Sequence, residues 1–263
     1  MTRRAFHALP AWTAPVVRAA YCAWQGRGDR RYVARTGQRF LPPARLRFHV
    51  GSVRPADYVR IGRRCAEDLD RALIDSGRTW AGIERVLDFG CGCGRTLIWL
   101  RDREPRFTGT DLHEDCIRWA ERNLTFADFQ RNRPTPPLDL PAATFDLAFS
   151  CSVFTHLDEA DQRAWLSEMR RLSRPGALLL FSVHGESCRT DLSPEQLGEV
   201  ERRGFLAVPA RGLWGVFERY FNSYHSEPYV RRVWGEFFTV LDYRPRGLND
   251  HQDLVVLARD GSP

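Results

Sequence analysis

The feature that most constrains the fold is a short apolar run that ends in a glycine-rich turn. Residues 85–89 read Arg-Val-Leu-Asp-Phe, and Gly90, Gly92 and Gly94 follow at alternate positions. An apolar run of this length bounded by glycine predicts a buried strand, and residues 96–103 predict a helix after it. Glycine carries no Cβ and adopts positive φ readily, so such a turn lets the backbone approach a ligand closely.

Further predicted strands and helices alternate along the chain. Strands are predicted over residues 106–111, 145–150 and 177–183, with a weaker strand and helix region after Leu124, and helices over 114–123, 159–172 and 193–203. This alternation is typical of a parallel α/β sheet. Two final strands, 237–243 and 253–259, are joined by a short turn, so we predict that they pair antiparallel.

Two acidic residues flank the glycine-rich turn. Asp88 lies two residues before the first glycine, and Asp111 ends the next predicted strand. A dinucleotide site would instead read GxGxxG and place a pyrophosphate on the following helix. An acid before the glycines suits a cationic group, and an acid at the end of the next strand suits ribose hydroxyls. We therefore predict an adenosyl ligand that carries an amine and a sulfonium.

The ordered set of motifs around this turn resembles the class I S-adenosylmethionine (SAM)-dependent methyltransferases. Beyond the turn, it includes GTD (109–111), FDLAFSCSVFTHL (145–157) and RLSRPGALLLF (171–181). The chain is most similar to bacterial small-molecule methyltransferases with TGxRxLPP (36–43), YHS (224–226) and HQD (251–253) motifs. The resemblance covers roughly residues 85–184. It implies SAM as cofactor and a Rossmann-like α/β fold, with a seven-stranded, mostly parallel sheet whose last strand is antiparallel.

The resemblance also implies which residues hold the amino acid end of the cofactor. Asp88 and the backbone of the turn, at Gly90, Cys91 and Gly92, take this role, and Gly94 completes the turn. For Cys91 we favour a small side chain that fills space over a metal ligand or a nucleophile.

At the nucleoside end, the resemblance implies that Asp111 binds the ribose and that Leu112 flanks the adenine. Asn132, in the loop after the third strand, would reach the adenine amino group. Ser152 and Val153, after the fourth strand, would line the methionine side of the cofactor.

The charge of the chain is concentrated at its N-terminus. Residues 1–64 carry 14 arginines against two acids, a net charge of +12, and the chain contains no lysine. Amphipathic helices are predicted over residues 13–25 and 55–76, with irregular structure over 26–55. We predict an Arg-rich helical extension, or lid, over residues 1–80 and a SAM-binding domain over 81–263. A basic segment leaves nucleic acid or an anionic ligand open as a partner, although arginine without lysine is also typical of a GC-rich genome.

The acceptor is predicted to bind against an aromatic segment. Residues 205–238 contain ten aromatic residues, which favours a planar or apolar acceptor, with core packing as the alternative explanation. Arg211, Arg219, Arg231 and Arg232 lie in the same segment and suit a carboxylate or phosphate, hence an anionic acceptor.

Two histidines are predicted as candidate general bases, because a hydroxyl acceptor must lose a proton. His156 follows the fourth strand, and His225 lies in the aromatic segment. For each, a purely structural role is the alternative, and His184 is a third candidate for which packing is favoured. Serine and cysteine occupy positions 150–152, where a metal-dependent enzyme would place carboxylates, so we predict that no metal takes part.

We therefore predict SAM-dependent methyl transfer to a hydroxyl of a small molecule, such as a natural product or sugar-like metabolite. The alternatives are N-methylation of a small molecule, methylation of nucleic acid through the Arg-rich arm, and a non-catalytic scaffold subunit. Nucleic acid is disfavoured, because the Asn/Asp-Pro-Pro-aromatic signature of base amino-methyltransferases is absent. Seven scattered cysteines and no apolar stretch of about 20 residues predict a cytoplasmic protein that does not span a membrane.

Overall fold

The computed structural model describes residues 14–210 and 220–261. Its strands are β1 (Arg85–Phe89), β2 (Arg106–Asp111), β3 (Ala127–Arg131), β4 (Phe145–Ser150), β5 (Ser173–Val183), β6 (Phe205–Pro209), β7 (Phe221–His225), β8 (Thr239–Leu248) and β9 (Gln252–Ala258). Its α-helices are α1 (Ala14–Gly26), α2 (Asp29–Thr36), α3 (Ala44–His49), α4 (Pro55–Asp75), α5 (Leu97–Leu100), α6 (Glu114–Asn123), α7 (Glu159–Leu172), α8 (Pro194–Arg203) and α9 (Glu227–Val233).

Seven strands form one sheet in the order β3-β2-β1-β4-β5-β9-β8. The first five are parallel to one another, and β9 runs antiparallel to both of its neighbours, β5 and β8. The predicted seven-stranded, mostly parallel sheet with an antiparallel last strand is therefore confirmed.

Helices cover both faces of this sheet, which explains why its central strands are apolar at nearly every position. On one face, Leu147 and Phe149 of β4 pack with Leu69 of α4. On the other face, Ala148 between them packs with Trp165 of α7. The alternation follows from the two-residue period of a strand. Because α4 shares this core, part of the N-terminal extension packs directly on the sheet.

The region over residues 26–55, predicted to be irregular, contains the helices α2 and α3. The prediction was wrong because it relied on the Gly- and Pro-rich composition, whereas a buried ion pair stabilises these helices. The side chain of Arg47 in α3 is fully buried, and its guanidinium donates to the Asp29 carboxylate and to the carbonyls of Pro42 and Val53. This tertiary contact holds two helices that, at eight and six residues, are too short to be stable in isolation.

The aromatic segment folds partly as a second, two-stranded sheet. Strands β6 and β7 pair antiparallel, with Phe205 opposite His225 and Pro209 opposite Phe221. The pair joins the main sheet through a bridge between His184, just after β5, and Tyr224. This small sheet therefore stands over the carboxyl end of β5, on the rim where a ligand would enter.

Candidate functional site

A cavity of about 1420 Å³ lies at the carboxyl ends of the central strands. Its wall includes Gly90 after β1, Leu112 after β2, Ser152 after β4 and His184 after β5. Pockets for a single small ligand usually measure about 300–1,000 Å³. This cavity has room for a cofactor and a second ligand side by side.

Glycine is required at two positions of the turn by both conformation and space. Gly90 and Gly92 have φ values of 82° and 56°, in the left-handed region. A Cβ at Gly90 would lie 2.1 Å from Cγ2 of Val153, and one at Gly92 would lie 2.4 Å from Cγ1 of Val50. Gly90 lines the cavity, whereas Gly92 and Gly94 lie outside its wall and shape the turn.

The backbone N–H groups of the turn are used within the protein. Those of Gly90 and Cys91 both donate to the carbonyl of Thr110, and that of Gly92 donates to Asp111 Oδ2 at 2.8 Å. These three N–H groups are therefore not available to bind an anion such as a phosphate, in contrast to those of a dinucleotide-binding turn.

Asp88 is a buried carboxylate in the cavity wall. No group in the described parts of the chain donates a hydrogen bond to it, and burial, together with the nearby Asp111 carboxylate, raises its pKa well above its ordinary value. Asp111 lies in the same wall, and burial raises its pKa as well, against the opposing hydrogen bonds from the N–H groups of His113 and Gly92. The Arg95 guanidinium acts on Asp88 and lowers its pKa in part, but neither carboxylate forms an ion pair within the described residues. Two such carboxylates fit the ammonium and sulfonium groups of SAM.

The nucleoside end of the cavity contains the residues predicted for it. Leu112 and Asn132 line the wall beside Asp111. The Asn132 side-chain amide donates to the Arg133 carbonyl at 2.8 Å, and its Oδ1 is buried with no hydrogen-bond partner among the described residues. A lone acceptor of this kind suits the adenine amino group.

Ser152 and Val153 lie in the wall after β4, opposite the glycine turn. Ser152 has a φ of 67°, unusual for a residue with a side chain. Its N–H donates to Ser182 Oγ at 2.8 Å, and its hydroxyl donates to Gln252 Oε1 at 2.9 Å. Gln252 thus holds Ser152 in the wall after β4, and the HQD motif that contains it is the sequence signal that could have identified this role.

His156 lies in the cavity wall, in a 3-10 turn after β4. Its Nδ1 lies 2.8 Å from the carbonyl oxygen of Phe221, and its ring stacks on Tyr220 with centroids 4.2 Å apart. The ring of His184, also in the wall, lies 6.0 Å away. The β6–β7 sheet therefore orients His156, while His184 adds a second imidazole to the same end of the cavity.

The structure does not support His225 as a general base. The residue is fully buried in the hydrophobic core and is not part of the cavity wall. Its Nε2 bonds to Gln162 Oε1 at 3.0 Å, and burial lowers its pKa to about 3. His225 is a neutral structural residue, because β7 directs it toward Phe205 and Trp234.

Most described aromatic residues of the segment 205–238 are core residues, which corrects the prediction of an aromatic acceptor wall. Only Tyr220 and Tyr224 of that described set line the cavity. Arg231 pairs with Glu227, and Arg232 lies over the ring of Tyr229; neither lines the cavity. The predicted residues Arg211 and Arg219 lie outside the described residues.

The chain before the sheet also contributes to the cavity, which the sequence did not indicate residue by residue. Residues 48–52, at the end of α3 and just after it, line the wall beside Asp111 and His113.

The Cys91 thiol is buried, and burial raises its pKa well above its ordinary value. This agrees with the prediction that Cys91 is a neutral side chain that fills space in the turn.

The described residues contain no group of three or more His, Cys, Asp or Glu side chains arranged to hold a metal ion. Across the same residues, no helix has both the length and the hydropathy to cross a membrane. Metal-independent chemistry and a cytoplasmic location stay predictions.

The sheet order, its single antiparallel strand and the acid-flanked glycine turn define the class I methyltransferase fold. The chain belongs to a methyltransferase-domain family, whose sequence profile matches residues 31–237. The predicted class, a SAM-dependent methyltransferase, and its predicted cofactor are confirmed.

Two curated relatives are malonyl-[acyl-carrier protein] O-methyltransferases. The protein of Serratia marcescens is 32% identical over 121 residues, which is 44% of this chain and 44% of that protein. The protein of Geobacter sulfurreducens is 30% identical over 149 residues, 55% of this chain and 54% of that protein. The chain spans about half the length of these relatives.

Solved structures show the same fold at low sequence identity. One is the 1,6-didemethyltoxoflavin-N1-methyltransferase of Burkholderia thailandensis with 1,6-didemethyltoxoflavin and S-adenosylhomocysteine (TM-score 0.54, 18% identity, 96% of this chain and 91% of that chain). Another is the magnesium protoporphyrin IX methyltransferase of Synechocystis PCC 6803 with S-adenosylhomocysteine (TM-score 0.53, 18% identity, 77% and 86%).

Proposed function

We propose that this protein transfers the methyl group of SAM to a hydroxyl oxygen of a small molecule, with His156 as the general base. The observation that carries the proposal is the hydrogen bond between His156 Nδ1 and the Phe221 carbonyl. A carbonyl oxygen only accepts, so Nδ1 carries the proton. In the neutral ring, Nε2 then holds the lone pair that can accept a proton from a hydroxyl.

The residues of the cofactor end have separate tasks. SAM, when bound, supplies an electrophilic methyl group on a sulfonium. Asp88 and the backbone of the turn at Gly90–Gly92 hold the amino acid end, Asp111 holds the ribose, and Asn132 accepts from the adenine amino group. Ser152, fixed by Gln252, shapes the wall at the methionine side, and this positioning sets the line along which an acceptor must approach.

The acceptor end supports a small, hydroxylated ligand. Polar side chains such as Thr190, Gln196 and Asn222 share the wall with Tyr220 and Tyr224. Rings that offer an apolar face beside amides and hydroxyls suit a natural product or sugar-like metabolite.

The described wall does not favour an anionic acceptor. Its one arginine is Arg95, which already donates to the Val50 carbonyl and the Ser52 hydroxyl. Asp161 and Asp191 line the same cavity. We therefore propose a neutral acceptor.

The relatives favour oxygen over nitrogen as the methylated atom. Both malonyl-[acyl-carrier protein] relatives are O-methyltransferases. N-methylation stays the alternative, and the need for a base separates the two: a neutral amine attacks without prior loss of a proton, whereas a hydroxyl needs His156 in the transition state.

We also propose that residues 1–80 form a lid over the cofactor and the acceptor, because residues 48–52 already contribute to the cavity wall. Limited proteolysis tests this lid. We expect SAM to protect residues 1–55 from cleavage, and unchanged cleavage would contradict the proposal.

The methyl acceptor is tested by incubating the protein with methyl-labelled SAM. Separate reactions contain hydroxylated small molecules, primary amines and RNA, and mass spectrometry locates the label. We expect O-methylated product, and His156→Ala should lower kcat by about 10²- to 10⁴-fold with little change in affinity for S-adenosylhomocysteine.

Label found only on amines, or only on RNA with steep salt dependence, would contradict the proposed acceptor.

A further inference from the structure

We propose that the segment 44–52 forms one wall of the cofactor site and that His49 contacts the nucleoside part of SAM. This inference rests on the cofactor of the proposed function and adds a binding residue to it. Residues 48–52 line the same cavity as Asp88 and Asp111. The ring of His49 packs on His113, two residues after Asp111, with centroids 4.1 Å apart.

The buried side chain of Arg47 holds the segment 44–52 in place. Arg47, next to the cavity-lining residues, is fully buried and makes a two-point ion pair with Asp29 at 2.8 and 2.9 Å. It also donates to the carbonyls of Pro42 and Val53, on either side of the segment. An arginine that uses its planar fork in this way holds the backbone at both ends.

The segment also packs directly on the glycine-rich turn. Val50 occupies the space that a side chain at Gly92 would need, with Cγ1 2.4 Å from the site of that Cβ. Arg95, just after the turn, donates to the Val50 carbonyl at 2.9 Å and to Ser52 Oγ at 2.8 Å. The turn and the segment therefore pack as one unit, and residues of both line the same cavity.

The chemistry of His49 fits a ribose hydroxyl. Burial, with the nearby His113 and Arg18, lowers its pKa to about 4, so the ring is neutral at neutral pH. A neutral imidazole offers one donor and one acceptor, as a hydroxyl does. Its Nδ1 is buried with no hydrogen-bond partner in the described parts of the chain. A neutral ring also avoids repelling the sulfonium, which an arginine here would do.

Calorimetry with two ligands tests this contact. S-adenosylhomocysteine carries the nucleoside and the amino acid, and 5′-methylthioadenosine carries the nucleoside without the amino acid. We expect His49→Ala to weaken both by about three- to tenfold, the value of one hydrogen bond. His49→Gln, which retains a donor and an acceptor, should recover part of the loss. Arg45→Ala is the matched control, because Arg45 is exposed on the same helix with a single ion pair at 3.7 Å.

Each outcome decides the proposal. Unchanged affinity for both ligands in His49→Ala overturns it. Weaker binding of S-adenosylhomocysteine alone places His49 at the amino acid end and also overturns it. If both variants unfold, NMR of the His49 ring in wild type decides: a shift with 5′-methylthioadenosine supports the contact, and no shift overturns it. Failure of wild type to bind S-adenosylhomocysteine would instead contradict the proposed function.

Discussion

The contact between Gly92 and Val50 gives a sharp test of how the cofactor site is built. Gly92→Ala places a methyl group at a φ of 56°, with its carbon 2.4 Å from Val50 Cγ1. The two effects are separable, because Val50→Ala removes the overlapping methyl and leaves the φ unchanged. We therefore expect the second substitution to rescue part of the first.

The magnitude follows from the two contributions. A left-handed φ costs an alanine about 1–2 kcal/mol. Carbon atoms in contact normally lie about 3.5–4.0 Å apart, so the overlap adds about 1–3 kcal/mol. Gly92→Ala should then lower the free energy of unfolding by about 2–5 kcal/mol, which most proteins of this size survive. Val50→Ala alone should cost about 1 kcal/mol, since Val50 is only half-buried.

Urea unfolding followed by tryptophan fluorescence measures all four proteins of the cycle. The double variant should be more stable than the sum of the single effects predicts, by about 1–3 kcal/mol. Gly82→Ala is the matched control, because nothing lies within 4 Å of the added carbon and φ is not positive. We expect a change within about 0.5 kcal/mol for it.

Strict additivity would refute the reasoning. It would show that Val50 does not press on the turn and that the segment 44–52 is not joined to it. A Gly92→Ala variant as stable as wild type would refute the conformational part as well.

The further predictions concern three side chains. Asp88→Asn should stabilise the ligand-free protein at neutral pH. Burial raises the pKa of Asp88 in the folded protein above its pKa in the unfolded chain, so the folded protein loses stability as pH rises above the unfolded pKa. Thermal unfolding of both proteins at several pH values measures this. The same variant should bind S-adenosylhomocysteine about 10- to 100-fold more weakly by calorimetry, since it loses a charge-assisted contact. Asn132→Ala should weaken S-adenosylhomocysteine about three- to tenfold and leave S-inosylhomocysteine, which lacks the amino group, unchanged. The pKa of His225 is about 3 in the folded protein, below its value of about 6.5 in the unfolded chain. The folded protein therefore loses stability as pH falls from about 6.5 toward 3, because the unfolded chain takes up the proton more readily. His225→Gln should flatten that dependence by up to about 1.4 kcal/mol per pH unit, and an unchanged slope in urea unfolding would show that His225 is not neutral.

Local patterns in the sequence predicted the main sheet well. The runs 85–89, 106–111 and 145–150 coincide with β1, β2 and β4. These strands are buried on both faces, so their composition alone identifies them. The helices α6 and α7 were predicted with their correct bounds, because each has a clear amphipathic period.

Elements that depend on distant contacts were not predicted. The helices α2 and α3 require the buried pair of Arg47 and Asp29, which are 18 residues apart in sequence. The strands β6 and β7 were not recognised within the aromatic segment, since their pairing joins residues on either side of an intervening stretch.

Fold class, cofactor and the acid–glycine–acid arrangement were determined by the sequence itself, because each depends on residues close together along the chain. The choice among the histidines was decided only by the tertiary structure. His156 and His225 look equivalent in sequence, yet the β6–β7 pair turns His225 into the core and places the Phe221 carbonyl against His156. His49 joined the site for the same reason: a side chain separated from Asp111 by more than 60 positions meets it only when the helix α3 packs on the glycine-rich turn.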